Sequence, residues 1–131
     1  MPPALPWKSF ASPETDKEYT AMVSFLPPDE FRAVPKVVRY TRRIQRQLAG
    51  SEGLMGYSMD ANVVGKEFWT SSVWEDAQAL RRFVHRTPHD GIMGDLLPEM
   101  GQTEFVQWKA KGASVPPDWG AAKERVRELQ T

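Results

Sequence analysis

Large apolar side chains occupy both alternating sets of positions in nearly every strand-like segment of this chain. Met22 and Leu26 alternate with Val23 and Phe25, Phe68 and Trp74 with Trp69 and Val73, and Phe105 with Val106 and Trp108. Successive strand residues point to opposite sides of a sheet, so such segments need cover on both faces. An uncovered face of this composition would far exceed the apolar patch of roughly 300 to 600 Å² that a typical monomer exposes.

The order of elements follows from local signals. Residues 19–26 are aromatic and apolar and stop at Pro27 and Pro28, which reads as a first strand. Val34, Val37, Val38, Thr41, Ile44 and Leu48 then recur at three- and four-residue steps, predicting a helix over 35–49 with Pro35 tolerated near its start. Residues 54–61 alternate as a second strand, with Met55, Tyr57, Met59 and Ala61 on one side, and 68–74 form a third. Glu75 with Gln78 resembles an N-cap and its partner three residues on, followed by the helical core face Leu80, Phe83 and Val84. Thr87, Pro88 and Asp90 start a further short helix carrying Met93 and Leu97, and 103–110 is the fourth strand. Three segments result: a proline-rich arm over 1–18, a sheet-and-helix domain over 19–110, and a linker with a short polar helix over 111–131.

The order β-α-β-β-α-β is that of the α+β ferredoxin-like unit, a four-stranded antiparallel sheet with two helices on one face. Two helices leave the other face bare, which predicts a homodimer whose sheets face each other. Covering some ~800 Å² per subunit at roughly 25 cal/mol per Å² represents about 20 kcal/mol gross, ample for association. Gly56, Ser58, Ser71 and Ser72 among the tryptophans then predict a cavity rather than a solid core.

The chain's 131 residues suit a single domain, and 17 basic residues balance 17 acidic ones, so no net field favours nucleic acid or an anionic membrane. The absence of cysteine excludes disulfides, thiolate metal sites and cysteine nucleophiles. The first residues lack the basic and apolar regions of a secretory signal, and no apolar run approaches the roughly 20 residues of a membrane span. A cytoplasmic protein is the expectation.

The stretch FWTSSVWEDAQALRRFVHRTPHDGIM resembles the antibiotic-biosynthesis-monooxygenase-like superfamily of dimeric α+β barrels, over roughly residues 19–110. Its most specific part is the strand ending in Ser72, Val73, Trp74, Glu75 and Asp76, followed by a helix with Leu80 and Phe83 and then by His89. The resemblance implies a monooxygenase-like oxidoreductase that binds a flat hydrophobic or aromatic molecule and requires no cofactor. The same stretch is similar to spheroidene-monooxygenase-like proteins and to haem-handling members of the superfamily. That second likeness implies haem with His89 as axial ligand and Trp74 lining the pocket, although Pro88 directly before His89 departs from the haem-degrading pattern. A non-catalytic ligand-binding homodimer is the third reading.

Candidate catalytic residues are His89, Asp60, Tyr57 and Arg39, as groups able to help form or stabilise a substrate anion in a site that excludes water. Tyr57, Trp69, Trp74, Trp108 and Met93 are the candidate substrate-binding residues, the aromatics serving as walls for a flat ligand. Trp69 and Trp74, an odd number apart, fall on opposite faces of a regular strand. Arg39, Arg42, Arg43 and Arg46 form a basic run with Arg39 nearest the apolar seam, suited to an anion. His85 and His89 are four apart, but Pro88 breaks helical continuity between them, and no metal site is expected beyond His89 if haem binds.

Overall fold

The computed structural model describes residues 7–62, 66–85, 103–115, 117 and 119–130. Strand β1 spans Lys8–Ser9, β2 Glu18–Leu26, β3 Leu54–Asn62, β4 Glu67–Trp74 and β5 Glu104–Lys111. Helix α1 spans Val34–Ala49, α2 Ala77–Val84 and α3 Trp119–Gln130. The strands form one antiparallel sheet in the order β1-β3-β4-β2-β5. Among the described residues, no helix is long and apolar enough to cross a membrane.

Local signals explain the helix boundaries. A single 3-10 turn, Phe31–Ala33, precedes α1, and Pro35 sits in its first turn, where a missing N–H costs nothing. Asp76, one residue after the expected Glu75, caps α2: its carboxylate accepts a hydrogen bond of 2.8 Å from the Ala79 N–H. The shorter Asp side chain reaches that N–H, the usual geometry of an N-cap.

Strand β3 departs from strict alternation. A bulge between Leu54 and Gly56 places two residues against one, pairing Leu54 with Trp74 but Gly56 with Val73. Leu54 therefore shares a face with Tyr57 and Met59, while Met55, expected beside them, packs on the other face with Val73 and Ala21. Gly53, at φ 81°, makes the left-handed turn into the strand.

Helices α1 and α2 cover the inner face, where Leu48, Leu80 and Phe83 pack on Leu54, Met59 and Trp74, and Val34 and Val37 on Leu26 and Phe68. The outer face is covered by the chain itself. Ala122 and Val126 of α3 pack on Val23, Phe25 and Trp69 with Trp119 beside them, and Trp7 joins Ala21, Met55 and Val73. The Trp7 indole lies so close to Gly56 that a Cβ there would stand 2.6 Å from it.

Two expectations are corrected. The sheet has five strands rather than four, because Lys8 and Ser9 of the arm pair with Tyr57 and Gly56 at the edge of β3. It is also open, with β1 and β5 at opposite edges and unpaired to each other, so the expected dimeric α+β barrel is not formed. The physical reason is that α3 and Trp7 occupy the face on which a second sheet was to rest. The apolar burial from which the homodimer was inferred is thus largely satisfied within one chain.

The two ends of the chain are stitched together. Gly112 N–H donates to the Lys17 carbonyl (2.9 Å) and Ala113 N–H to the Thr15 carbonyl (3.2 Å), while within the arm Glu14 N–H donates to the Tyr19 hydroxyl (2.9 Å). Gly112 is required there: a Cβ would lie 2.0 Å from the Glu14 carbonyl oxygen. These bonds fix where the linker leaves β5 and so help carry α3 back across the outer face.

Candidate functional site

Helix α1 presents three stripes. Val34, Val37, Ile44 and Leu48 face the core. Val38, Thr41, Arg42 and Gln45, at steps of three and four, form the adjacent stripe and roof a cleft of about 270 Å³. Its floor and walls are Leu26, Met59, Ala61, Phe68 and Thr70, reached at the ends of β2, β3 and β4, with Asp60 and Trp69 at its border. The third stripe carries the exposed Arg39 and Arg43, whose guanidinium groups stand 5.3 and 5.6 Å from the ring centre of the half-buried Tyr40.

A second pocket lies deeper between α1, α2 and the sheet, lined by Met22, Ser24, Leu48, Ser72, Phe83 and Phe105 among others. At about 50 Å³ it suits a water or two, given roughly 30 Å³ per water in the liquid. The larger cleft is the better ligand site: it combines apolar walls with Arg42, Gln45 and Thr41 converging from one helix.

The sequence candidates separate by face. Tyr57 is buried on the inner face, with Phe10 of the arm stacked at 6.0 Å and its hydroxyl hydrogen-bonded to the Gln45 side chain. Burial raises its pKa and outweighs the lowering by Gln45, so near neutral pH Tyr57 is a neutral phenol suited to donating a hydrogen bond rather than to accepting a proton as phenolate. Asp60 points its carboxylate to the outer face, where Lys123 of α3 pairs with it at 2.5 Å; the two side chains are 13% and 21% exposed. The Lys123 ammonium also lies 5.2 Å from the Trp69 ring centre and 5.5 Å from that of Trp119.

Trp69 and Trp74 do lie on opposite faces. Trp74 is fully buried on the inner face, donating to Ser72 Oγ at 2.9 Å and packing against Phe83 at 5.1 Å. Trp69 packs on Phe25 at 4.4 Å and donates to Glu67 at 3.2 Å. Trp108 is on the outer face under the Arg125 guanidinium, 4.4 Å from its ring centre. The three indoles therefore do not wall one chamber. Arg39 is outside the cleft, and Arg42, three residues on, is the guanidinium at it. His85 is exposed at the end of α2. His89 and Met93 lie outside the described residues. Among the described residues, no cluster of three or more His, Cys, Asp or Glu side chains is placed to hold a metal ion.

Gln45, Thr41, Phe68 and Lys123 were missed as site residues. The signal for the first two was present: 38, 41, 42 and 45 keep helical spacing directly beside the core stripe. Nothing local marked Lys123, which meets Asp60 across 63 positions of sequence.

Residues 38–131 match the family described as "Domain of unknown function (DUF3291)". The chain belongs to this family. The match runs from the cleft-lining stripe of α1 through α3, so the helix that covers the outer face is part of the DUF3291 domain. No curated protein matches the sequence. Among solved structures, the chain is similar to SnoaB, a cofactor-independent oxygenase from Streptomyces nogalater, at 15% identity and a TM-score of 0.60 over 76% of this chain and 98% of that one. It is similar to an antibiotic biosynthesis monooxygenase at 12% identity and a TM-score of 0.63, covering 70% and 97% of the two chains. A dimeric ferredoxin-like protein of unknown function from Thermobifida fusca matches at 11% identity and a TM-score of 0.61, covering 74% and 95%. At these identities the DUF3291 chain shares their fold.

Proposed function

We propose that this protein is a small monooxygenase-like oxidoreductase that binds a flat hydrophobic or aromatic molecule in the cleft beneath α1. The observation that carries the reading is the cleft itself: about 270 Å³, apolar along Leu26, Val38, Ala61 and Phe68, with Thr41, Arg42 and Gln45 aligned on one helical stripe and Thr70 on the sheet. That is slightly below the roughly 300 to 1,000 Å³ of pockets for drug-sized ligands, which suits a compact ring system. The fold shared with oxygenases supports oxidation as the reaction class. Gln45, at the cleft and hydrogen-bonded to the neutral Tyr57 phenol, is available to orient a polar group on the ring.

Among the described residues that line this cleft none is a histidine, and His89 lies outside the described residues. No step is therefore routed through haem. The test is oxygen consumption by purified protein with a panel of hydroxylated aromatics, without added flavin or metal, beside an Ala61→Trp variant that fills the cleft. Consumption lost in the variant supports the reading. Binding without any turnover assigns a ligand-binding role instead, and a Soret band on haem titration that disappears in His89→Ala assigns the haem-binding role.

A further inference from the structure

We infer that the cleft beneath α1 selects an anionic aromatic ligand, a ring bearing a carboxylate or a comparably delocalised oxyanion, through the Arg42 guanidinium. This rests on the cleft being the ligand site. Between Val34 and Ala49, α1 carries Lys36, Arg39, Arg42, Arg43 and Arg46 and no acidic residue. The geometry divides that run. Arg39 and Arg43 flank the half-buried Tyr40, whereas Arg42, also exposed, stands with Thr41 and Gln45 on the stripe at the cleft.

Two carboxylates near the cleft bear on whether Arg42 is compensated, and both are engaged elsewhere. Asp60, at the border, is held on the outer face by Lys123 at 2.5 Å, and Glu67 accepts from the Trp69 indole at 3.2 Å. Among the described residues, Arg42 has no carboxylate within ion-pair distance. The cleft thus presents one uncompensated positive charge beside apolar walls. A planar guanidinium offers two parallel donors matched to a carboxylate, and the walls accept the ring that carries it. In this arrangement Lys123 of α3 pairs with the Asp60 carboxylate on the outer face, and Arg42 is the charged side chain that the cleft stripe of α1 presents.

The test titrates the full chain, followed by tryptophan fluorescence, with 2-naphthoate, its neutral isostere 2-naphthalenemethanol, and 2-naphthylmethylammonium. The expected result is naphthoate binding about tenfold tighter than the alcohol, with the ammonium weakest. Arg42→Met is expected to bring naphthoate and the alcohol within about twofold of each other, with an unchanged far-ultraviolet circular dichroism spectrum showing that the variant is folded. Arg39→Met is expected to keep the preference, and Ala61→Trp to abolish binding of both. Equal affinities for naphthoate and the alcohol in the unsubstituted protein, with both lost in Ala61→Trp, would overturn the anion inference and leave the cleft standing. Equal loss of preference in Arg39→Met and Arg42→Met would also overturn it, by moving selectivity to the general field of α1. Binding of none of the three would overturn the cleft reading and this inference together.

Discussion

The inner face of the sheet is sealed by two amphipathic helices that leave a cleft at their margin, and the outer face by one largely polar helix and a single indole. Inside, the cover is broad and apolar, with Leu48, Leu80 and Phe83 among its members. Outside, α3 contributes Ala122 and Val126, which are almost completely buried, and completes its docking with polar contacts. Lys123 pairs with Asp60, and Trp119 donates to Ser58 at 3.4 Å. The difference teaches how much cover each surface needs. On the outer face Ala122, Val126 and Trp7 close over Val23, Val73 and Ala21, while the Lys123 and Arg125 cations lie over the Trp69 and Trp108 rings; inside, Trp74, Met59 and Phe68 are covered by apolar side chains.

The sharpest break of that asymmetry is at Trp74, the largest side chain with no exposure. Trp74→Ala is expected to cost about 3–5 kcal/mol through the cavity it opens on the inner face, read as a shift in the urea unfolding midpoint. An unchanged midpoint would mean that the inner core is not where the fold is held.

Val126→Asp tests the outer lid by placing a carboxylate at a position with no exposure. A loss of about 2–4 kcal/mol is expected, with larger species in sedimentation at micromolar concentration as the apolar face is uncovered. A variant as stable and as small as the unsubstituted chain would show that α3 is not the cover.

The polar half of the lid is probed by Lys123→Met, which strands the Asp60 carboxylate in a mostly enclosed site and is expected to cost about 1–3 kcal/mol. Adding Asp60→Asn should restore most of it. Additive losses in that double-mutant cycle would show that the pair is not coupled.

The smallest effect concerns Tyr57, whose pKa burial raises above the usual 10.0. Because the folded state holds the proton more tightly than the unfolded chain, this contribution to stability is intact below about pH 10 and is lost as pH rises through the folded value. Tyr57→Phe should therefore flatten the alkaline limb of a stability-versus-pH profile while leaving neutral pH nearly unchanged. A limb of unaltered slope would place the alkaline sensitivity elsewhere.

Much of the inner face was readable from residue order. The strand limits, the start of α1 at Pro35 and the separation of Trp69 from Trp74 all follow from periods of 3.6 and 2 and from proline chemistry. The bulge in β3 was not readable, because an inserted residue in a strand is defined by the partner it fails to meet; Met55 looks like a member of the Tyr57 set until Gly56 is paired with Val73. The site was half legible. A basic helix beside an apolar seam pointed to an anion, but choosing Arg42 over Arg39 required knowing which flank of the seam stays open. Alternation alone puts Tyr57 and Asp60 on opposite faces of β3, and what the tertiary structure adds is the partner of each, Gln45 for Tyr57 and Lys123 for Asp60.

Composition and alternation by themselves determined that both faces of this sheet must be buried, and that a helix pair would take one of them. Which surface buries the other was decided only in three dimensions, where Val126 meets Val23 and Trp7 meets Gly56. The reason is physical: periodicity records how much apolar surface an element must hide, but the identity of what hides it depends on contacts between residues far apart in the sequence. A short, polar helix carrying two small apolar residues gives no local sign that it will close a core.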